Sequence, residues 1–214
     1  MDARARMARM VADQIQSRGV RDPRVLNALT RVPRESFIPE EYRAQAFEDH
    51  PVSIGCGQTI SQPYMVGYMT EALKLESTHR VLEIGTGCGY QTAVLAELAE
   101  IVYSMELIDE LAHRARHALD ALGYANVHVR AGDGYAGWPE HAPFDRILAA
   151  AAPPEIPPAL LDQLAEGGIL VIPVGVGAQE LRVLRKHGGA IELLATLPVR
   201  FVPMVRPDGG PGGG

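Results

Sequence analysis

The amino-acid sequence predicts an α/β fold, a doubly wound and mostly parallel sheet with antiparallel C-terminal strands and an N-terminal helical elaboration. Three observations predict it. From Arg80 onward, short apolar runs alternate with longer amphipathic stretches, the rhythm of a parallel sheet wrapped by helices. The first apolar run passes through Gly85-Thr86-Gly87-Cys88-Gly89 into the first amphipathic stretch, the place where such a sheet receives a nucleotide-like ligand. The last apolar residues double back about Gly188-Gly189, as a hairpin of antiparallel strands does.

Before Arg80 the order is less regular. Met7, Met10, Val11 and Ile15 recur at helical spacing and predict an amphipathic helix. The same segment has neither the compact apolar core nor the small-residue cleavage site of an export signal. A turn-rich segment with Pro33 and Pro39 follows, then an extended loop from His50 to Thr59. A helix is expected from about Ser61 to Leu75, with Met65, Val66, Met69, Ala72 and Leu73 on one face. Ser61 is placed to cap it, and Pro63 is tolerated in a first turn.

The core then reads as a strand over Val81–Ile84, a helix from Tyr90 to Glu100 and a strand over Ile101–Leu107. A helix to Leu122 and strands over Val127–Arg130 and Phe144–Ala151 continue the alternation. Pro157–Leu164 reads as a helix, Gly168–Gly175 as a buried strand, and Glu180–Leu197 as the terminal hairpin. With 214 residues the chain suits one domain, here residues 1–206, of which 1–79 form the elaboration and 80–206 the core. Residues 207–214, ending in PDGGPGGG, have the composition of a flexible tail.

Bulk properties exclude several classes. A composition of 47% hydrophobic and 21% charged residues is that of a soluble domain, and no apolar run is long enough to span a bilayer. The net charge of −6 offers no footprint for nucleic acid. Cys56 and Cys88 alone make neither a disulfide framework nor a metal-ligand spacing. The expectation is a cytoplasmic monomer with no metal site.

Gly85 and Gly87 allow a tight turn and a close approach of ligand, beside a helix start with free N–H groups. A bare glycine turn is weak evidence, but two acids accompany it. Glu106 ends the next strand, about twenty residues on, where a carboxylate accepts hydrogen bonds from ribose hydroxyls. Asp133, with Gly134, follows the strand after that, on the same edge. Glu106 as a solvated strand end and Asp133 as a turn or cap residue are the separate structural explanations. A nicotinamide dinucleotide is disfavoured, because the third glycine of G-x-G-x-x-G would fall on Tyr90.

The runs EDHPVSIGCGQTISQPYMV, VLEIGTGCGYQTAVLAEL, VRAGDGYAGWPEHAPFDRILAAAA and RFVPMVR together resemble the bacterial protein-L-isoaspartate O-methyltransferases over nearly the whole chain before the tail. The first and last are far more specific than the glycine turn. The resemblance implies a Rossmann-like fold of the S-adenosylmethionine-dependent type. It makes Ser61 the active-site residue, with Gln58, Thr59 and Ile60 lining the site beside it as cofactor contacts. It also makes Gly85, Thr86, Gly87, Glu106, Leu107, Asp133 and Gly134 cofactor contacts, and sets Ile54, Val202 and Pro203 along a peptide substrate. Glu83 matches an acidic position typical of such methyltransferases; it either faces the cationic methionine head group or bonds the loop's own amides. Cys88 stands where that family often has Ser or Thr.

The implied reaction is methylation of the free α-carboxylate of isoaspartyl residues in damaged proteins and peptides, which starts repair through a succinimide. A carboxyl group with a reference pKa of about 3.3 to 3.7 is already an anion at neutral pH and needs no general base. Ser61 would orient it, as a hydroxyl beside a helix start suits an anion. Two other readings stay open: a methyltransferase for a small molecule or RNA, and a cofactor-binding protein without catalysis. Asp208-Gly209, with no bulky following side chain, is itself expected to isomerise and become a substrate in trans.

Overall fold

The computed structural model describes residues 2–207; Asp208-Gly209 and all but the first residue of the proposed tail lie outside them. Helix α1 (Ala3–Met10) starts at Asp2, whose carboxylate accepts the Ala5 N–H at 2.7 Å. It continues through a π turn, Val11–Ile15, and a 3-10 turn, Gln16–Arg18. Met7, Met10, Val11 and Ile15 are buried, as their spacing requires. A further helix, α2 (Pro23–Arg31), is capped by Asp22 with proline in its first turn. Its short apolar stripe, Val25, Ala28 and Leu29, falls between the expected first helix and the turn-rich segment, where no second helix is expected from the sequence.

The expected extended loop from His50 to Thr59 is instead a hairpin. Strands β1 (Val52–Gly55) and β2 (Gln58–Ile60) pair antiparallel, Val52 against Ile60 and Ser53 against Thr59. Cys56 and Gly57, both at positive φ, make the turn. Helix α3 (Pro63–Ala72) follows. Ser61 does not cap it: Gln62 occupies the cap position, with extended backbone and no side-chain cap bond. Proline disfavours the helical conformation in the residue before it and is itself suited to the first helical position, so the boundary falls between Gln62 and Pro63.

The core runs β3 (Arg80–Ile84), α4 (Tyr90–Ala96), β4 (Ile101–Glu106), α5 (Asp109–Ala121), β5 (Val127–Ala131), β6 (Phe144–Ala149), α6 (Pro158–Gln163), β7 (Leu164–Val174), β8 (Gln179–His187) and β9 (Ala190–Val199). These strands form one sheet in the order β5-β4-β3-β6-β7-β8-β9. Pairs from β5 through β7 are parallel, and β8 and β9 are antiparallel additions. Val81, Leu148 and Val171 pack on one face; Leu82, Ile147 and Leu170 pack on the other, all fully buried. Burial on both faces explains why these strands read as unbroken apolar runs. The chain leaves β3 toward β4 and β5, then returns beyond β3 to form β6 and β7. The carboxyl ends of β3 and β6 therefore flank the crevice where doubly wound sheets bind ligands. No helix among the described residues is long and apolar enough to cross a membrane.

Candidate active site

A cavity of about 920 Å³, counted to its open mouth, occupies that crevice. Gln58, Thr59, Ile60 and Ser61 line one side, Gly85, Thr86 and Gly87 the floor, and Glu106 and Leu107 the end of β4. Gly134, Val202 and Pro203 complete the expected set. Twelve of the fifteen expected residues thus meet at one place, though they come from positions 58 to 203.

The glycine turn is shaped by its neighbours. Gly85, Gly87 and Gly89 all have positive φ, at 93°, 56° and 92°, a region that penalises any side chain. The Gly85 N–H donates to the Met105 carbonyl at 2.8 Å, and the Gly87 N–H to Glu106 Oε2 at 2.8 Å. Glu106 Oε1 accepts the Ile108 N–H at 3.0 Å. The carboxylate is 7% exposed, and each oxygen retains a lone pair for hydroxyl donors. This fits the diol of a ribose.

Three expected residues stand apart from the lining. Glu83 is completely buried, and its Oε2 accepts bonds from the Thr92 and Ser104 hydroxyls, both at 2.5 Å. Ser104 Oγ lies 2.6 Å from Thr86 Oγ1. Glu83 therefore faces neither a ligand nor the loop amides; it anchors a hydroxyl chain beneath the loop. Burial pushes its pKa up to about 7, against the lowering effect of the Ser104 and Thr92 hydrogen bonds. Asp133 caps the following turn by accepting the Tyr135 N–H at 2.9 Å and lies 3.9 Å from Arg206. Ile54 is buried, with its side chain packed toward Gly87, so it closes the floor from beneath the hairpin.

The fourth wall is a strap, residues 201–206. The Ala152 N–H donates to the Val202 carbonyl and the Met204 N–H to the Ala152 carbonyl, both at 2.8 Å. The Tyr135 hydroxyl donates to the Met204 carbonyl at 3.0 Å. Met204 and Val205 line the cavity along with Val66, Ile84, Met105 and Ile108, apolar residues not singled out from sequence. Only Met204 and Val205 carried a signal, inside RFVPMVR. Tyr90, Gln91 and Cys88 also line it. Burial pushes the Cys88 thiol up to about 11 and the Tyr90 phenol up to about 12, so neither is an anion near neutral pH.

A doubly wound sheet with this turn, this acid and an apolar wall of strap and hairpin defines a methyltransferase of the S-adenosylmethionine-dependent class. The protein-L-isoaspartate(D-aspartate) O-methyltransferase family model matches residues 5–209. The chain belongs to that family. It is 56% identical over 196 residues to the protein-L-isoaspartate O-methyltransferase of a Picosynechococcus species, covering 92% of this chain and 88% of the relative. It is likewise 56% identical, over 204 residues, to the one from a Synechococcus species, covering 92% and 84%. A solved protein-L-isoaspartate O-methyltransferase superposes with a TM-score of 0.84 at 27% identity, over 95% of this chain and 66% of the solved one. A Plasmodium falciparum protein described as belonging to the same family, solved with S-adenosyl-L-homocysteine, gives 0.79 at 26%, covering 92% and 97%.

Proposed function

We propose that this chain transfers a methyl group from S-adenosylmethionine to the free α-carboxylate of L-isoaspartyl residues in damaged proteins and peptides. The observation that carries this reading is that Ser61, the glycine turn and the strap line one cavity. The lining is rich in apolar side chains, and its only acidic side chain among the described residues, Glu106, has both oxygens engaged by backbone N–H groups. No histidine or lysine is among the lining residues. Such a wall lacks the acid–base pair that activation of a neutral nucleophile needs, and suits a nucleophile that arrives ionised.

S-adenosylmethionine supplies, when bound, a methyl group activated by its sulfonium. Glu106 would accept the ribose hydroxyls, and the Gly85–Gly87 turn and Gly134 would take the close approach of the nucleoside. The Ser61 hydroxyl would hold the substrate carboxylate, while Ile60, Val66, Met204 and Val205 exclude water from it. Val202 and Pro203 present the strap's backbone to the peptide. Asp133, Ile54 and Glu83 act behind this surface, by fixing Gly134, the floor and the loop.

Matched isoaspartyl and aspartyl peptides incubated with labelled S-adenosylmethionine test the reading. Label should enter the isoaspartyl peptide alone. Equal labelling of both, or of neither, overturns it.

A further inference from the structure

Arg34 is 0% exposed, one of the largest fully buried side chains among the described residues. Burying a guanidinium is costly unless its donors are met. No carboxylate hydrogen-bonds it. Its Nε donates to the Ala46 carbonyl and its Nη2 to the Ser61 carbonyl, both at 2.8 Å. Its Cζ lies 4.9 Å from the centroid of the Tyr90 ring, the first residue of α4 after the glycine turn. Among the described residues neither Nη1 nor the buried Tyr90 hydroxyl makes a hydrogen bond of good geometry, and the charge of the one acts on the other.

A planar fork held at two carbonyls has a fixed orientation, unlike an ammonium that pivots about one point. One bond ties it to the segment ending at Ala46 and the other to the peptide of Ser61. Its face rests on the residue that follows the cofactor turn. The guanidinium thus spans the two sides of the cavity from behind and sets how far Ser61 stands from Gly85–Gly87. A buried charge adds little to stability over an apolar side chain of similar volume, so the two carbonyl bonds matter for the geometry they fix.

We propose that Arg34 is a positioning residue for methyl transfer, acting through the Ser61 carbonyl to hold the Ser61 hydroxyl in register with the cofactor turn. The inference rests on the reading of Ser61 as the group that orients the carboxylate.

The test is a double-mutant cycle of Arg34→Lys and Ser61→Ala, with kcat, peptide KM and the Kd of S-adenosylhomocysteine measured for each. Arg34→Lys should lower kcat about 10- to 100-fold, the cost of roughly an ångström of misplacement, with cofactor Kd within about threefold. In the Ser61→Ala background the same change should cost less than about twofold, since coupled residues are not additive. Full additivity, or a loss of cofactor affinity that matches the loss of kcat, overturns the proposal. Arg34→Gln keeps a planar donor and serves if the lysine variant does not fold; failure of both to fold assigns Arg34 to folding and also overturns it. An unaffected Ser61→Ala removes the underlying reading of Ser61 as well. An impaired Ser61→Ala beside an unimpaired Arg34→Lys removes only this inference.

Discussion

The Gly87 N–H and Glu106 Oε2 are 2.8 Å apart, so the cofactor turn and the acid at the end of β4 form a single unit. Glu106 holds the turn, and on the proposed reading it also receives the ribose hydroxyls. Glu106→Gln should weaken S-adenosylhomocysteine binding about 10- to 100-fold, the range for losing one or two charge-assisted hydrogen bonds. Calorimetric titration checks this; an unchanged Kd would remove Glu106 from the binding surface.

Glu83 links stability to pH. Its pKa stands at about 7 in the fold against 4.5 for the unburied group, so the folded chain binds the extra proton across that window. Stability from this group is fully present below about pH 4.5 and is lost as pH rises through 7, by roughly 3 kcal/mol. Glu83→Gln keeps the uncharged shape, so the variant should gain on the parent between pH 5 and 8. Urea midpoints of both proteins at those two pH values decide it; parallel profiles would count against the buried acid.

Much of this was legible in the sequence because its signals are local. The apolar runs of β3, β4, β6 and β7 announce strands buried on both faces, and Gly188-Gly189 marks the turn of the β8–β9 hairpin. The cavity residues Gly85 and Glu106 follow from their places at successive strand ends, whereas Asp133, read from the third strand end, caps a turn beside the cavity, and Gly134 comes with the resemblance alone. What stayed hidden depends on contacts between distant segments. The β1–β2 hairpin is only a few residues long, with glycine on both sides of Cys56, so no alternation accumulates. Nothing in RVPRESF distinguishes the buried Arg34 from the exposed Arg31, because its partners lie 12 and 27 residues away. The cap position shifted from Ser61 to Gln62 because Pro63 governs the residue immediately before it.

Gly134 is required for space. A Cβ there would overlap the Ile84 side chain and come within 2.9 Å of Met204 Cε. Gly134→Ala should destabilise the protein by about 1 to 3 kcal/mol and weaken cofactor binding, because relief moves either the cavity floor or the strap. Thermal unfolding with and without S-adenosylhomocysteine measures both effects; a variant as stable and as tightly bound as the parent contradicts this packing.

Tyr135 and the strap meet at the Met204 carbonyl, 3.0 Å from the phenolic oxygen. Tyr135→Phe should cost about 1 kcal/mol and raise peptide KM more than it lowers kcat, because on the proposed reading the strap borders the peptide while Ser61 holds the carboxylate. Steady-state kinetics over a peptide series separates the two. A fall in kcat at constant KM would place Tyr135 in the chemistry itself.

The strap has a consequence for how activity arises during synthesis. Residues 58–61, the glycine turn and Glu106 all emerge from the ribosome well before Phe201, and the sheet's parallel core needs none of the last segment. A nascent or clipped chain ending at Val199 has the hairpin, the glycine turn and Glu106 but no wall at Met204 and Val205. The cavity is therefore left without its fourth wall until one short stretch, made after the whole sheet, has been laid beside Ala152.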